Sequence, residues 1–341
     1  MSTDHPAASP TTPRLCLDPV TGRPACVAPQ RSGKPDDEAL AKRLGPAGRP
    51  LQWCPFCAGN ESRTPQSVLR IPADAALPWR ARIVPNAFPI TTAAAAFPVG
   101  EGREAVGLHD VVIESPRHDR SILDLAADAW EDVWTICQRR LATAAEMERL
   151  AWATIFKNSG ARAGASLEHV HSQIVGIDVI PPAIAAEAAT IARDAATFPR
   201  VIDAARSEGR VVGERDGLVV LVPPAPRQPF ETWIMTTARE PHLHTAAPAR
   251  VAALASLTRD LVRRLGHVAP GCHYNWWLHA APFARTRDHD PVVAAWHWHL
   301  EVLPRLSELA GFEIGTGCHI TTRSAEESAR LLREAGGSGA S

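Results

Sequence analysis

Two short segments of this chain carry histidines in alternating positions. The first reads His169-Val-His171-Ser-Gln173, and the second reads His297-Trp-His299-Leu-Glu301. Successive side chains of an extended strand point to opposite faces, so each segment presents two imidazoles and one polar group on a single face. Neutral imidazole exists near pH 7, can attack as a nucleophile through one ring nitrogen, and can ligate metal ions. This spacing therefore favours nucleophilic catalysis, metal binding, or both.

The elements that must position these segments repeat along the chain. In each half a long amphipathic stretch, about 122–150 and then 247–267, comes first. An apolar segment follows, 150–157 in one half and 274–278 in the other, and then the His-x-His segment. This order predicts helix, strand, strand, twice, and the strand segments are too apolar and β-branched for an all-helical protein.

Composition limits the class of protein and its partners. Hydrophobic residues make up 45% of the 341 residues and charged residues 21%, which suits a folded chain with a sizeable core. The length exceeds a usual single domain, so we expect two similar halves. The formal net charge is −1, and nothing global therefore attracts the chain to nucleic acid or to an anionic membrane.

Signals for export are missing from the sequence. The stretch Met1–Arg14 lacks the apolar core of a secretory signal, and no apolar run is long enough to span a bilayer. The seven cysteines are odd in number and unevenly spaced. Both features favour a cytoplasmic location, where thiols stay reduced, over a disulfide framework.

The one close cysteine pair is Cys54-Pro-Phe-Cys57, followed by Ala-Gly-Asn. Two thiolates on a tight turn can each occupy one corner of a tetrahedral zinc site. A redox motif of the same spacing would need a preceding βαβ pattern, which is absent here. Since no second C-x-x-C occurs, histidines must complete a zinc site, and His118 and His169 are the candidates.

The chain resembles the galactose-1-phosphate uridylyltransferase family, the transferase branch of the histidine-triad superfamily, over roughly residues 15 to 321. The matching motifs, in order, are Asp18-Pro-Val-Thr-Gly22, Ala28-Pro-Gln-Arg31, Cys54-Pro-Phe-Cys57, Arg82-Ile-Val-Pro-Asn86, His109-Asp-Val-Val-Ile-Glu-Ser-Pro116, Lys157-Asn158-Ser-Gly160, His169-Val-His171-Ser-Gln173, Pro229-Phe-Glu-Thr-Trp233 and Trp296-His-Trp-His-Leu-Glu301. The resemblance implies an α+β fold of two tandem histidine-triad-like modules, pseudo-twofold related, each an antiparallel sheet with a long helix.

The module boundaries expected from this reading are residues 15–195 for the N-terminal module, with the zinc knuckle and the H-x-H-x-Q motif, and 196–335 for the C-terminal module, with H-x-H-x-E. Residues 1–14 and 336–341 are expected to be disordered tails. A homodimer is expected from the family.

The resemblance also implies a double-displacement nucleotidyl transfer. His171 is the expected nucleophile and forms a phosphoramidate with the nucleotide, so the kinetics should be ping-pong. Gln173 stands where hydrolytic relatives carry a third histidine. Its neutral amide can donate to a phosphate oxygen but cannot readily activate water, which favours a transferase over a hydrolase.

Further contacts follow from the resemblance, position by position. Asn158 and Ser166 match contacts to the α-phosphate, Asn86 lies in the segment that lines the nucleoside pocket, and Glu313 matches a residue that binds sugar hydroxyls. Arg31 matches a phosphate-binding arginine, and Lys34 replaces a second one, which keeps the charge but loses the bidentate geometry.

Two metal sites are implied as well. One is a structural zinc held by Cys54, Cys57, His118 and His169. A second zinc or iron would bind Glu187, His279, His297 and His299, although the same residues are also consistent with a relic of duplication that holds no metal. Four protein ligands leave the first site without an open catalytic position.

Three functions compete. The first moves a nucleoside monophosphate, UMP by preference, from a nucleoside-diphosphate sugar to a hexose 1-phosphate such as galactose 1-phosphate. The second is a nucleotidyl phosphorylase or adenylyltransferase that acts on ADP-glucose or a dinucleoside polyphosphate with phosphate as acceptor. Ala87 keeps it open, because well-known uridylyltransferases carry an acidic residue there. The third, a zinc-dependent nucleotide sensor without catalysis, is disfavoured by the intact set of His171, Gln173, Asn158 and Ser166.

Overall fold

The computed structural model describes residues 14–17, 24–27, 54–92, 98–99, 102–283 and 290–337, with side chains described in 54–92, 104–283 and 290–337. Its strands are β1 (Arg14–Leu17), β2 (Pro24–Val27), β3 (Leu69–Ile71), β4 (Ala81–Pro85), β5 (Pro98–Val99), β6 (Gly102–Glu104), β7 (Gly107–Ile113), β8 (Trp152–Ser159), β9 (His171–Ile177), β10 (Val211–Arg215), β11 (Leu218–Leu221), β12 (Thr232–Thr236), β13 (Tyr274–His279) and β14 (His299–Pro304). Its helices are α1 (Ala127–Glu146), α2 (Pro182–Arg193), α3 (Thr197–Ser207), α4 (Pro248–Val268), α5 (Pro291–Ala294), α6 (Gly311–Thr316) and α7 (Ala325–Gly337).

One sheet of ten strands dominates the described part of the chain. Its order is β10-β11-β12-β14-β13-β8-β9-β7-β4-β3, and every neighbouring pair is antiparallel. The order is palindromic about the pair β8 and β13, so each half supplies five strands in the same sequence from the centre outward. The two halves are therefore related by a pseudo-twofold axis between β8 and β13. A second sheet joins β2, β1, β6 and β5.

Helix α1 covers one face of the sheet because its apolar residues recur on one side. Trp130, Val133, Trp134, Cys137 and Leu141 are all buried, a spacing of three or four residues that places them in one stripe. The rings of Trp130 and Trp134 meet that of Trp276 from β13, with centroids 5.9 and 6.1 Å away. The helix of the first module thus packs onto a strand of the second.

Helix α4 is the counterpart of α1 in the second module. Proline at its first turn suits a position whose N–H has no partner within the helix, and Leu254, Thr258, Leu261 and Leu265 form its buried stripe. The indole N–H of Trp130 donates to the hydroxyl of Thr258 (3.0 Å). Residues of both helices and of both half-sheets belong to one continuous hydrophobic core.

The predicted order of helix, strand, strand in each half is confirmed, and so is the α+β fold of two histidine-triad-like modules. Helices α1 and α4 and strands β8 and β13 lie where the amphipathic and apolar segments predicted them. The proposed module boundary between residues 195 and 196 falls between α2 and α3.

The ends differ from the sequence-based expectation. Arg14 begins β1, and the rest of the tail assigned to residues 1–14 lies outside the described residues, as do 338–341. Helix α7 continues to Gly337, two residues into the tail expected from residue 336. The guanidinium of Arg264 in α4 donates to the carbonyl oxygens of Leu332 and Arg333 in the last turns of α7. Within the described residues no helix is long and apolar enough to cross a membrane.

Candidate active site and metal centres

The sheet face opposite α1 and α4 collects the polar residues of both histidine segments. Antiparallel pairing places Gln173 of β9 beside Phe156 of β8, and Phe156 beside Trp277 of β13. Trp277 pairs in turn with Glu301 of β14. Residues opposite each other in a sheet share a face. The side chains of Gln173 and Glu301 therefore lie on the same face of the sheet, with Phe156 and Trp277 between them.

His171 is held in one tautomer by its own backbone. Its Nδ1 lies 2.7 Å from the main-chain carbonyl oxygen of His169, and a carbonyl can only accept, so Nδ1 carries the proton. In the neutral ring the lone pair then resides on Nε2. The ring is 6% exposed and meets that of Phe56 with a centroid distance of 5.5 Å. Such a buried, oriented imidazole can act as a nucleophile through Nε2.

Gln173, two residues farther along β9, is buried on the same face. Its Oε1 lies 2.8 Å from Nε2 of His109 on β7 and 3.3 Å from Nδ2 of Asn86, which follows β4. The structure therefore brings together Gln173 and Asn86, both singled out from the sequence. It adds His109, which the sequence reading placed in a family motif without giving it a role.

Asn158 and Ser166 flank a tight loop between β8 and β9. Gly160 and Gly164 adopt φ values of +86° and +81°, a left-handed region that glycine enters without steric cost. Asn275 on β13 donates from Nδ2 to Oδ1 of Asn158 and to the carbonyl oxygen of Ala163, both at 2.8 Å. Ser166 is half-buried at the end of this loop.

Asn275 thus joins the second module to the loop beside His171. Sequence reasoning missed it, since only the pairing of Asn275 with Asn158 across β13 and β8 reveals the contact. An open groove of about 360 Å³ lies along this junction, lined mainly by Trp152, Phe156, Asn158 and Trp277.

Cys54, Cys57, His118 and His169 form a compact group whose donor atoms lie within 4.8 Å of one another. The Nδ1 of His169 is 3.4 Å from Sγ of Cys54 and 3.6 Å from Sγ of Cys57, and Nδ1 of His118 is 3.4 Å from Sγ of Cys57. Sulfur and nitrogen ligands of a tetrahedral zinc lie about 3.6 Å apart, given bonds of about 2.3 and 2.05 Å. The group is compatible with zinc.

Protonation states in this group also suit a cation. The Nε2 of His169 donates to the carbonyl oxygen of Ser115 (2.9 Å), which leaves the lone pair on Nδ1, toward the sulfurs. Burial lowers the pKa of His169 to about 4, so its ring is neutral near pH 7. Burial, reinforced by the neighbouring Cys54, raises the pKa of Cys57 to about 12. A bound cation would supply the charge that lets these thiols ionise.

A second group gathers Glu187 of α2, His279 of β13, and His299 and Glu301 of β14. Oε1 of Glu301 lies 3.6 Å from Nδ1 of His279 and 3.7 Å from Nε2 of His299. His299 repeats the arrangement of His171, because its Nδ1 lies 3.1 Å from the carbonyl oxygen of His297. Two imidazoles and two carboxylates suit zinc or iron.

His297, expected as a ligand in the second group, is not among the four residues whose donor atoms lie within 4.8 Å of one another, and its role as a ligand stays a prediction. Its Nδ1 lies 2.7 Å from the carbonyl oxygen of Thr236, and its ring packs beside Phe198. Glu301 is the fourth residue of the group. The signal for Glu301 was present in the sequence, since period-two alternation puts it on the same face as His299.

Arg227 contacts this second group through Glu301 and was missed in the sequence. Its guanidinium pairs with Glu231 and Glu301 and lies over the ring of Trp277, 4.9 Å from the centroid. Burial opposes the ionisation of Glu301, yet the hydrogen bond from His299 and the charges of His279 and Arg227 outweigh it and lower the pKa of Glu301 to about 2. The carboxylate is therefore ionised in the folded protein.

The other residues predicted to contact the substrate lie away from this site or outside the described residues. Glu313 is on the short helix α6, where its Oε2 accepts from the main-chain N–H of Ala310 (3.1 Å), and Phe312 and Ile314 beside it are exposed. Arg31 and Lys34 lie outside the described residues. The expected homodimer and cytoplasmic location stay predictions.

The palindromic sheet and the two His-x-His segments define a tandem protein of the histidine-triad type. The chain belongs to the galactose-1-phosphate uridylyltransferase family of this superfamily, as its resemblance indicated. A family model described as a domain of unknown function (DUF4921) matches residues 116–333. The expectation of a nucleotidyl-transferring enzyme of this family is thereby confirmed.

Two related sequences and one crystal structure show how similar this chain is to known proteins. An ADP-glucose phosphorylase from Arabidopsis thaliana is 31% identical over 331 residues, which is 95% of this chain and 93% of the relative. A galactose-1-phosphate uridylyltransferase from Haemophilus influenzae is 26% identical over 253 residues, 69% of each protein. The crystal structure of an Arabidopsis thaliana ADP-glucose phosphorylase with bound ADP-glucose superposes with a TM-score of 0.73 and 28% identity, covering 95% of this chain and 98% of that one.

Proposed function

We propose that this protein is an ADP-glucose phosphorylase. It would transfer the adenylyl group of ADP-glucose to inorganic phosphate and release glucose 1-phosphate and ADP. The observation that carries this proposal is the similarity to an ADP-glucose phosphorylase over 95% of the chain, 31% identical, together with an ordered His171 and Gln173 on one strand. The alternative reading of the sequence is thus preferred to a uridylyltransferase of galactose 1-phosphate.

The chemistry proceeds in two displacements at the α-phosphorus. In the first, Nε2 of His171 attacks, the bond from phosphorus to the bridging oxygen breaks, and glucose 1-phosphate leaves with that oxygen. In the second, an oxygen of inorganic phosphate attacks the same phosphorus, the bond to Nε2 breaks, and ADP leaves. Nδ1 keeps its proton throughout, because its hydrogen bond to the carbonyl oxygen of His169 persists. The ring therefore returns in the tautomer that starts the next cycle.

Gln173 favours phosphate over water as the acceptor. Its side chain has no pKa near neutrality, so it cannot remove a proton from water. A phosphate dianion needs no such base, since it already carries a nucleophilic oxygen. The Asn158 and Ser166 side chains, beside the glycine loop, are proposed to hold the oxygens of the α-phosphate, which gains charge density in the transition state.

An adenine nucleotide is consistent with the residue that follows Asn86. Ala87 is exposed and apolar, so it offers no carboxylate of the kind expected for a uridine-binding relative at this position. A uridylyltransferase remains the second candidate, because a galactose-1-phosphate uridylyltransferase matches 69% of the chain. The two functions share the same covalent step and differ in base and acceptor.

We also propose that Cys54, Cys57, His118 and His169 hold a structural zinc. The group joins the turn 54–57 to the loop after β7 and to the residue two positions before His171. When bound, the ion would supply a closed tetrahedral crosslink that adds to folding stability and takes no part in catalysis. Its consequence for the reaction is a fixed start of strand β9, where the nucleophile lies.

The proposal is tested by incubating the protein with ADP-glucose labelled at the α-phosphate, with and without inorganic phosphate. We expect an acid-labile labelled protein without phosphate, and labelled ADP with equimolar glucose 1-phosphate when phosphate is added. His171→Asn should lower turnover by about 1,000-fold or more. The matched control His319→Asn, at an exposed histidine, should retain full activity.

UDP-glucose with galactose 1-phosphate is assayed in parallel. A higher kcat/KM for this pair than for ADP-glucose with phosphate would show that the protein is a uridylyltransferase and not a phosphorylase. Absence of any adduct with either nucleotide sugar, in protein with its full zinc content, would refute the covalent mechanism for both.

A further inference from the structure

Building on the proposed function, we propose that His109 is a positioning residue that sets the direction of the Gln173 amide and thereby aims its N–H donors at the phosphate. His109 lies on β7, two strand positions from the residue opposite Gln173, and it is 5% exposed. Its ring nitrogens contact Asn86, Ile90 and Gln173, so we assign it a positioning role and no step at phosphorus. His109 would affect the reaction rate by orienting Gln173.

The tautomer of His109 follows from one backbone contact. The main-chain N–H of Ile90 donates to Nδ1 of His109, at 3.1 Å. A nitrogen that accepts a hydrogen bond carries no proton, so the proton of the neutral ring resides on Nε2. His109 therefore presents an N–H donor toward β9, in the opposite tautomer to His171.

That donor meets Gln173 Oε1 at 2.8 Å. The carbonyl oxygen of an amide only accepts, while its nitrogen only donates, so the contact is satisfied in one orientation of the amide. The reversed orientation would point two N–H groups at the N–H of His109. The glutamine nitrogen is thus directed away from His109, and among the described residues no protein acceptor receives its hydrogens. A phosphate oxygen can take that place.

Asn86 supports the same orientation from a second side. Its Oδ1 accepts from the main-chain N–H of Phe88 (2.8 Å), which directs its Nδ2 toward Gln173 Oε1 (3.3 Å). This Nδ2 also lies 3.0 Å from Nε2 of His109, but two donors cannot bond each other, so both are directed at Gln173 Oε1. The oxygen of Gln173 is therefore aimed at two donors. Both donors take their own direction from backbone N–H groups of the segment 88–90, so the orientation of a side chain at the reaction centre is specified by the main chain of a neighbouring loop.

Two substitutions of His109 separate its two hydrogen bonds. In His109→Asn, Oδ1 stands near the place of the imidazole Nδ1 and can still accept from Ile90, but the side chain is too short to reach Gln173. In His109→Gln, Nε2 stands near the place of the imidazole Nε2 and can still donate to Gln173. We expect His109→Asn to lower kcat by about 10- to 100-fold with little change in the KM for ADP-glucose. His109→Gln should recover most of that rate.

A double-mutant cycle shows whether His109 acts through Gln173. If it does, His109→Asn combined with Gln173→Ala should lower kcat no further than Gln173→Ala alone. Additive losses would overturn the proposal, and so would a His109→Asn protein as active as the wild type. A loss of kcat in His109→Gln equal to that in His109→Asn would also overturn it, because this result would point to general packing at position 109.

The rate of adenylyl-protein formation in a single turnover distinguishes this proposal from the function on which it rests. A wild-type protein that forms no adduct from ADP-glucose would refute the function itself. A wild-type protein that forms the adduct while His109→Asn forms it equally fast would refute only the role of His109. Zinc content and melting temperature are measured on each variant, and His109→Ala carries the cycle with Gln173→Ala if His109→Asn does not fold.

Discussion

The ammonium group of Lys157 donates to the main-chain carbonyl oxygen of His171 at 2.9 Å, from the side of the sheet that α1 covers. The same ammonium pairs with Glu114 at 2.6 Å, and the hydroxyl of Ser172 donates to the other oxygen of Glu114. Lys157 and Glu114 are 2% and 0% exposed, and Trp130 and Trp276 lie near the charge. A buried ion pair therefore supports the backbone of the proposed nucleophile.

Removing one charge of this pair should destabilise the protein far more than removing both. Burial lowers the pKa of Lys157, and the charge and hydrogen bond of Glu114 oppose that effect. Lys157→Met leaves Glu114 buried without a partner, so we expect the free energy of unfolding to fall by about 3–5 kcal/mol. Lys157→Met with Glu114→Gln should recover a large part of this loss, as measured by urea unfolding followed by circular dichroism. Equal losses in both proteins would contradict a coupled pair.

The cysteine and histidine group should hold one zinc ion per chain. Cys57→Ser removes a thiolate ligand, so we expect the zinc content to fall by one ion per chain and the melting temperature to drop. Elemental analysis by mass spectrometry and calorimetry measure the two effects. Cys318→Ser, at an exposed thiol, is the control and should change neither. If the Cys57→Ser protein kept its full zinc content, this group would not be the zinc-binding site.

The second group should bind a further divalent ion through His279 and not through His297. The side chain of His279 belongs to the group whose donor atoms lie within 4.8 Å of one another, whereas that of His297 lies outside it. We expect His279→Gln to lose this ion and His297→Gln to retain it, with metal content measured after dialysis into zinc and then into metal-free buffer. Loss of the ion in His297→Gln would show that His297 is a ligand, as inferred from the sequence.

Gln173→His should allow water to compete with phosphate. An imidazole at this place can accept a proton from water near neutral pH, which the amide cannot do. We expect AMP to appear from ADP-glucose in the absence of phosphate at a rate at least about 10-fold above the wild type. Chromatography of the nucleotides measures it, and Gln66→His, at an exposed glutamine, is the matched control. No increase in AMP would show that Gln173 does not limit hydrolysis.

The stability of the protein should decline in mild acid partly through His242 and His244. Their rings lie 4.8 Å apart, and burial, followed by the charge of His242, lowers the pKa of His244 to about 4. Burial also lowers the pKa of His242. The unfolded chain therefore binds more protons between about pH 6.5 and pH 4, and stability falls as the pH falls through this range.

Replacing both rings by Gln should flatten that slope. The comparison is the free energy of urea unfolding at pH 7.5 and at pH 5 for wild type and the His242→Gln, His244→Gln protein. A variant that loses as much stability between these two pH values as the wild type would exclude the pair as a source of the slope.

Much of the fold was predictable because it depends on local pattern. The stripe that includes Trp130, Val133 and Trp134 predicts helix α1 from spacing alone, and the alternation of His169 to Gln173 predicts one face of β9. The zinc group was predictable in a different way. Thiolates and imidazoles are few and chemically distinctive, so Cys54, Cys57, His118 and His169 could be proposed from residue type and family motif before any contact was known.

The repeat, the periodicity and the set of reactive groups can therefore be recognised in the amino-acid sequence alone. Which of these groups contact one another depends on the folded arrangement of the strands. Asn275 reaches Asn158 and His109 reaches Gln173 through pairing between strands distant in the chain, and Arg227 reaches Glu301 from the connection between β11 and β12. His297 lies outside the donor group of Glu187, His279, His299 and Glu301, which the alternation of the segment could not reveal. The direction of a side chain depends on where its strand begins and on the partner strand's register, and those are fixed by long-range packing that no local pattern encodes.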